Sequence, residues 1–543
     1  MEHVKLLDCT LRDGAYLIDK KFGETTIRGI ISGLIDAKID IIEMGFLQNE
    51  GFGKGKTVFK NSSEAKKFIP FDKGNSLIAL LADCSRYDVE NLDEYSYGSV
   101  DIVRECFFKN EREKALDNCY KIKQKGYKVF VQPVDILGYT DKELIDLIEE
   151  VNKLEPYGIS IVDTFGSMYQ EDLHRIFEIM NHNLIPACKI GFHSHNNMQL
   201  SNALSQEFVR ISIGKRKVVV DGTISGMGRG AGNTPTELIA QYLSTQLGYC
   251  YNMDVLLDLI DTYMDNIRAK CWWGYSTSYF VAGCYGAHVN NIAYLSAKNS
   301  IRHKDIRMIL NKIGVQERKR YNYDLLEQTY LEILNADIDD TEAIIKLGKI
   351  LSGKEVLILA PGKSIQEYED KICQYIKNED PIVISINFFE NNIKIDYVYM
   401  NNVKRYQYWM NNPEFVKCNK IITSNIKIEP DSDNEVIVSF VKLLHSGWEL
   451  MDNSMIMLLR LLDKFPVKKI AIAGFDGFTD SDQNDNYYKS VLETKQTTIN
   501  AVHLNQEIEK MLIDYEKNHI QENIKITFIT PSRFEKVING DQE

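Results

Sequence analysis

From residue 4 to residue 221 the chain alternates short apolar, β-branched runs with longer stretches in which apolar residues return every three or four positions. The first pattern predicts buried strands, the second predicts amphipathic helices, and their repetition predicts βα units. The runs fall at 4–9, 40–45, 76–82, 101–106, 128–133, 158–163, 189–195 and 217–221. Eight such units predict an α/β fold, a closed (β/α)8 barrel over residues 1–270. In such a barrel, ligand-facing residues stand at the carboxyl ends of the strands. Asp13 follows the first run, Glu43 ends the second, Asp163 ends the sixth, and His193 and His195 end the seventh. These residues are expected to share one mouth, with Glu43 and Asp163 touching substrate.

Residues 271–352 read as a helical extension rich in charge, and a second alternation of strands and helices begins at residue 354. Apolar runs at 355–359, 382–386, 397–400, 436–440, 469–473 and 525–530 predict an open, doubly wound Rossmann-like sheet over 353–543. The turn Ala360-Pro-Gly-Lys-Ser364 follows the first of these runs. It is not a Walker A loop, because position 357 is Leu where that motif has Gly, but Gly362, Lys363 and Ser364 are placed to hold a nucleotide phosphate at a helix start. The acidic tract 476–485 is expected to be a solvated loop.

Composition narrows the classes. The chain has 543 residues, 77 acidic and 64 basic, for a formal charge of −13. That balance argues against nucleic acid as a partner. The length fits two domains, each burying its own core. Ten cysteines occur without C-x-x-C spacing, so reduced thiols are expected and neither a disulfide framework nor a structural zinc site. No apolar signal core follows Met1, and no stretch approaches the roughly 18 apolar residues of a membrane span. A cytoplasmic homo-oligomer without membrane contact is the expectation.

The candidate chemistry lies in the H-x-H of Lys189-Ile-Gly-Phe-His-Ser-His195. On a strand, alternate side chains share a face, so both imidazoles point one way, and Asp13 completes an oxygen-and-nitrogen site suited to a divalent ion. After the eighth run, five glycines between 222 and 232 let backbone approach a ligand closely. Asn233 follows them and brings an amide oxygen toward the same site.

Three motifs carry a family resemblance: Leu7-Asp-Cys-Thr-Leu-Arg-Asp-Gly14, His193-Ser-His195 and Gly228-Arg-Gly-Ala-Gly-Asn233. Over about the first 310 residues the chain resembles the metal-dependent barrels related to 4-hydroxy-2-oxovalerate aldolase, 3-hydroxy-3-methylglutaryl-CoA lyase and isopropylmalate synthase, the HMGL-like superfamily. The resemblance implies Asp13, His193 and His195 as ligands of Mn²⁺ or Mg²⁺, with Asn233 a further ligand of the lyase branch. It implies Arg12 as the cation facing a 2-oxo acid. Such an acid chelates the ion through its carboxylate and ketone oxygens, and the ion stabilises the enolate as a C–C bond breaks or forms. The aldolase branch carries a histidine base where this chain has Tyr16, whose ordinary pKa near 10 disqualifies it from the same role at neutral pH without substantial lowering. The segment 273–291 resembles the region that lends a tyrosine to the aldolase site and supplies Tyr285. His288, one helical turn on, is positioned to replace the missing histidine if the segment is helical.

The second domain loosely resembles Rossmann-like domains of sialyltransferase-like and pterin pyrophosphokinase-like proteins, which implies a nucleotide or nucleotide sugar. The expected activity is a metal-dependent aldolase joining or releasing a pyruvate-type enolate and an aldehyde, such as a sugar for surface-polysaccharide synthesis. One alternative is a Claisen-type synthase using an acyl-CoA. The other is a non-catalytic barrel carrying a glycosyltransferase-like or nucleotide-binding domain.

Overall fold

The structure, a computed structural model, describes residues 3–539 apart from 52, 299–300, 335–337, 427–433, 446, 449–451, 480–486, 488–500 and 520–523. The chain divides into two compact units, 1–293 with 314–321 and 294–313 with 322–543. The helical extension is therefore shared between the units: Thr277–Tyr285 belongs to the first, and Tyr323–Leu334 and Thr341–Leu351 to the second.

The first unit is a closed barrel. Its strands are β1 (Val4–Asp8), β2 (Ile41–Leu47), the two-residue β3 (Val58–Phe59) paired outside β2, β4 (Leu77–Asp83), β5 (Ile102–Phe107), β6 (Lys128–Pro133), β7 (Gly158–Asp163), β8 (Lys189–Ser194) and β9 (Val218–Gly222). All pairs are parallel, and β1 closes the ring, with Leu7 opposite Ile41 on β2 and Asp221 on β9. The eight expected runs coincide with the eight barrel strands to within two residues. His195 is the exception in kind, because β8 ends at Ser194 and His195 forms an isolated antiparallel bridge to Asn233.

The helices outside follow from apolar stripes. Asp141–Leu154 buries Leu144, Leu147, Ile148, Val151 and Leu154, a face spaced by three and four residues, against the strands. Thr140 caps it reciprocally: its hydroxyl accepts from the Glu143 amide at 3.3 Å, and the Glu143 carboxylate accepts from the Thr140 amide at 2.8 Å. Inside the barrel, Leu7, Cys9, Ile41, Ala79, Ile102, Phe130 and Val219 form an apolar core. The polar side chains Glu43, Arg104, His193 and Asp221 are also fully or almost fully buried.

The second unit carries a seven-stranded parallel sheet: β10 (Glu355–Leu359), β11 (Ile382–Ile386), β12 (Tyr397–Met400), β13 (Asn419–Thr423), β14 (Glu435–Val438), β15 (Lys469–Ala473) and β16 (Lys525–Phe528), in the order β14-β13-β12-β11-β10-β15-β16. Six of these match expected runs. The strand missed is β13, whose sequence Asn-Lys-Ile-Ile-Thr holds too short an apolar run to register. Most of the acidic tract 476–485 lies outside the described residues.

Candidate active site

Asp13 is the centre of the barrel mouth. Its Oδ2 lies 3.3 Å from His193 Nε2 and 3.8 Å from His195 Nε2, and the three side chains present ligand atoms all within 4.8 Å of one another. Each imidazole is oriented from its other nitrogen: His193 Nδ1 is 3.0 Å from Asp221 Oδ2, and His195 Nδ1 is 2.9 Å from the Asp163 carbonyl oxygen. A carbonyl only accepts, so His195 Nδ1 donates and its Nε2 is left with a lone pair; a carboxylate imposes the same tautomer on His193. The Asn233 amide nitrogen donates to Asp13 Oδ1 at 3.3 Å and to the Met227 carbonyl at 3.1 Å. Its Oδ1 is buried with no hydrogen-bond partner. A buried amide oxygen without a donor is costly unless a cation or donor completes it. The donor set and this orphaned oxygen fit a hard divalent ion.

Around that centre runs a closed circuit of charge. Arg12 Nη1 bonds Asp13, and Arg12 Nε donates to Glu43 Oε2 at 2.6 Å. Arg104 Nη1 lies 3.2 Å from the same Glu43 oxygen, while its Nη2 donates to Asp221 Oδ2 at 2.5 Å. Asp221 meets His193, and His193 returns to Asp13. Three carboxylates against two guanidiniums leave one net negative charge, which favours a bound cation. Burial alone would raise the Asp13 pKa, but the Arg12 guanidinium beside it holds its carboxyl well below the usual range.

The glycine-rich loop is an ordered part of this site. The Gly232 carbonyl accepts from the Asn196 amide at 2.8 Å, and the Ala231 amide donates to Asn197 Oδ1 at 3.2 Å. Gly232 has φ +84°, and a Cβ there would come within 2.1 Å of the Gly226 carbonyl oxygen. Only glycine allows the backbone that delivers Asn233.

Two expected substrate contacts have partners within the protein. Glu43 is fully buried, with Oε2 held by Arg12 and Arg104 and Oε1 without a hydrogen-bond partner, so it positions the two guanidiniums. Asp163 is 2% exposed, and its carboxylate accepts from the Ser167 and Met168 amides at 2.9 and 3.3 Å and from the Ser194 hydroxyl at 3.3 Å. It shapes the turn whose carbonyl orients His195. Residues that the sequence reading passed over carry comparable weight: Arg104 and Asp221 close the circuit, and Arg229 lies 4.0 Å above the Tyr16 ring. A charged residue inside an apolar strand, as Arg104 is, was the available signal.

Tyr16 sits in a short helix, Gly14–Ile18, between Arg229 and Phe46, whose ring centroid is 5.2 Å away. Burial pushes its phenol up to about 12 despite Arg229 and Arg12, so it keeps its proton at neutral pH. The expected helical face shared by Tyr285 and His288 does not form: the helix Thr277–Tyr285 ends at Gly286 in a left-handed cap, and the next helix starts at Val289. Tyr285 lies 5.3 Å from the Arg318 guanidinium. His288 occupies the break, its ring 4.9 Å from Tyr321 and its Nδ1 accepting from the Asn290 amide at 3.1 Å. Burial, helped by the charges of Arg229 and His195, pushes its pKa down to about 4. It is therefore neutral at pH 7, and because Nδ1 accepts, its Nε2 carries the proton.

In the second unit, the expected phosphate turn is already engaged. The Gly362 amide donates to the Gly474 carbonyl at 2.9 Å, and the Ser364 amide donates to Asp476 Oδ2 at 2.9 Å. The Ser364 hydroxyl also bonds Asp476, and Lys363 opens only the four-residue helix Ser364–Glu367. An internal carboxylate takes the place expected for a ligand's anion at Ser364, and the Gly362 amide is likewise spent within the protein.

Residues 3–264 match the HMGL-like family model. The protein of Thermomicrobium roseum named 4-hydroxy-2-oxovalerate aldolase is 26% identical over 349 residues, 61% of this chain and 92% of the relative. That of Carboxydothermus hydrogenoformans, with the same name, is 26% identical over 352 residues, 62% of this chain and 98% of its own. A Mycobacterium tuberculosis protein named oxaloacetate decarboxylase is 25% identical over 260 residues, 44% of this chain and 69% of its own.

Proposed function

We propose that this HMGL-like barrel is a divalent-metal-dependent C–C lyase acting on a 2-oxo acid, and that its reaction is an aldol cleavage or addition between a pyruvate-type unit and an aldehyde. The observation that carries the reading is the Asp13, His193 and His195 cluster with the orphaned Asn233 oxygen beside it. Asp13, His193, His195 and Asn233 would hold the ion, Mn²⁺ or Mg²⁺. When bound, it supplies Lewis acidity toward the ketone and carboxylate oxygens of a 2-oxo acid.

The chain's own residues do the rest. Arg12 is fixed through Nε and Nη1 by Glu43 and Asp13, so its remaining amino group presents a preorganised donor to developing negative charge at no cost of reorientation. His288, neutral above about pH 4 and accepting from the Asn290 amide at Nδ1, carries its proton on Nε2 and serves as a hydrogen-bond donor to the aldol oxygen. Tyr16 keeps its proton and its ring supports Arg229. Tyr285 stays in the proposal on its motif, as a hydroxyl donor to the acceptor. The fusion to a second α/β domain motivates a sugar as the aldehyde partner.

The test separates enolate chemistry from acceptor identity. Metal content by elemental analysis and pyruvate proton exchange in D₂O by NMR are compared between wild type and the double variant His193→Ala/His195→Ala. Metal and exchange present in the first and lost in the second are expected. A wild type that binds metal yet neither exchanges pyruvate protons nor decarboxylates oxaloacetate would sink the reading. Replacing His288 by Ala, which removes this donor, is expected to lower aldol turnover about tenfold.

A further inference from the structure

The barrel mouth holds two cations that the metal centre does not use. Arg229 stands in the glycine-rich loop, and its guanidinium lies 4.0 Å from the Tyr16 ring. Tyr16 meets Phe46 edge-on, with centroids 5.2 Å apart, and Lys20 Nζ lies 4.8 Å from the Phe46 ring. Two neighbouring rings thus carry a cation each, both half-buried. Among the described residues no carboxylate pairs with either cation. Lys20 donates to the Gln48 side-chain oxygen at 3.3 Å, and the Arg229 guanidinium has the Tyr16 ring.

The backbone beneath Arg229 is fixed. A Cβ on Gly228 would come within 2.3 Å of the Asn233 amide nitrogen, and one on Gly230, at φ +69°, within 3.0 Å of Asn197 Oδ1. The Arg229 carbonyl itself accepts from the Gly232 amide at 3.1 Å. The loop that delivers Asn233 to the metal centre therefore also delivers this guanidinium. The local field is positive: burial first, then Arg86 and Lys56, push the Lys20 pKa down, with Glu50 opposing and Arg229 adding to the shift. Arg229 and His195 both act on His288, so the guanidinium stands within electrostatic reach of the reacting groups. Half-buried positive charges without a counter-ion favour an anion between them. Arg12 is committed to Asp13 and Glu43 and serves the 2-oxo acid, so this second pair of cations answers a second anion.

We infer that the aldehyde partner carries an anionic group, a phosphate or a carboxylate, and that Arg229, supported on the Tyr16 ring and helped by Lys20, binds it. The inference rests on the aldol reading of the barrel and adds the charge of the acceptor to it. It also gives Tyr16 a task that needs no proton transfer, which is to hold the guanidinium in place.

The test offers the full-length, metal-loaded protein pyruvate together with aldehydes paired by charge: glycolaldehyde phosphate against glycolaldehyde, and succinic semialdehyde against butanal. Wild type is expected to prefer the charged member of at least one pair by about tenfold or more in kcat/KM, and the pair concerned tells phosphate from carboxylate. Arg229→Gln is expected to lose about 10- to 100-fold on the charged aldehyde, carried by KM. Arg229→Lys should lose less, since lysine keeps the charge without the planar fork, and Lys20→Gln less again. Saturation-transfer NMR with ethyl phosphate and butanoate, anions that have no aldehyde, reads the site without turnover and decides if no tested aldehyde reacts. Signal in wild type that falls in Arg229→Gln is expected. Circular dichroism reports folding, and Arg229→Lys takes the place of a Gln variant that does not fold. Pyruvate proton exchange in D₂O, measured in the same samples, separates the two readings. Its absence from wild type fails the aldol reading itself. Exchange that is present overturns the anion site alone if charged and neutral aldehydes are used equally, if the preference survives in Arg229→Gln, or if the NMR signals of the two proteins are alike.

Discussion

Two aspartates occupy the same topological place in the two sheets and have opposite fates. Asp13 follows β1 of the barrel and Asp476 follows β15 of the open sheet, each on a turn at the carboxyl end of a parallel strand. Asp476 meets a backbone amide and a hydroxyl, both donors, so its oxygens are complete and the turn is closed. Asp13 meets Arg12 on one side and, on the other, two imidazole nitrogens whose partner nitrogens already donate elsewhere. Lone pairs then face a carboxylate, an arrangement that needs positive charge between them, a proton or a metal ion. A polar group at a strand end becomes a ligand site when its neighbours cannot finish it. It becomes architecture when they can.

The largest expected effect tests the open side of this contrast. Asp13→Ala should lower metal affinity by more than about 100-fold, beyond the 10- to 100-fold typical of losing a ligand's supporting partner, as read by metal titration. A sharper question is whether an unmatched buried oxygen suffices by itself. Glu105 on β5 also has one, Oε2, but faces away from the mouth, with Oε1 accepting from Asn118 at 2.7 Å, and burial pushes its pKa up to about 8. A carboxyl with a raised folded pKa binds more protons folded than unfolded, so stability is full below about pH 4.5 and falls until about pH 8. Glu105→Gln should remove this loss, worth roughly 3–5 kcal/mol, in denaturant unfolding compared at pH 5 and pH 9. Metal affinity unaltered in that variant would confine the open-site argument to clustered groups.

Asp221→Asn keeps the shape of the His193 support but removes its charge, and should weaken metal about 10- to 100-fold. On the closed side, Ser364→Ala removes one donor to Asp476 and should cost about 1–2 kcal/mol in thermal or denaturant unfolding. The smallest effect is expected for Tyr16→Phe, which keeps the ring beneath Arg229. Pyruvate exchange within about threefold of wild type fits a phenol that takes no part in proton transfer, whereas a loss near 100-fold would return Tyr16 to the list of bases.

Much of this was legible before any coordinates. The eight barrel strands follow from runs such as 158–163 and 189–195, because strand burial in a barrel is written in adjacent residues. Asp13, His193 and His195 were legible for the same reason: each stands at the end of such a run, and the H-x-H spacing places both imidazoles on one face. Partners within the protein were not legible. Glu43 and Asp163 read as substrate contacts because both end strands, yet Arg12 and Arg104 hold one Glu43 oxygen and the 167–168 amides donate to Asp163. The Tyr285 and His288 face failed because Gly286 ends the helix between them.

Sequence alone determined where the eight barrel strands lie and that His193 and His195 share one face as candidate metal ligands, since period and spacing act over a few residues. Tertiary structure decided whether each polar group is finished. The circuit Asp13, Arg12, Glu43, Arg104, Asp221 and His193 joins positions up to about 200 residues apart, and the Ser364 pairing with Asp476 spans 112. Hydrogen bonds and ion pairs at such separations depend on how the sheets close and how their turns meet, and no local pattern in the chain encodes that.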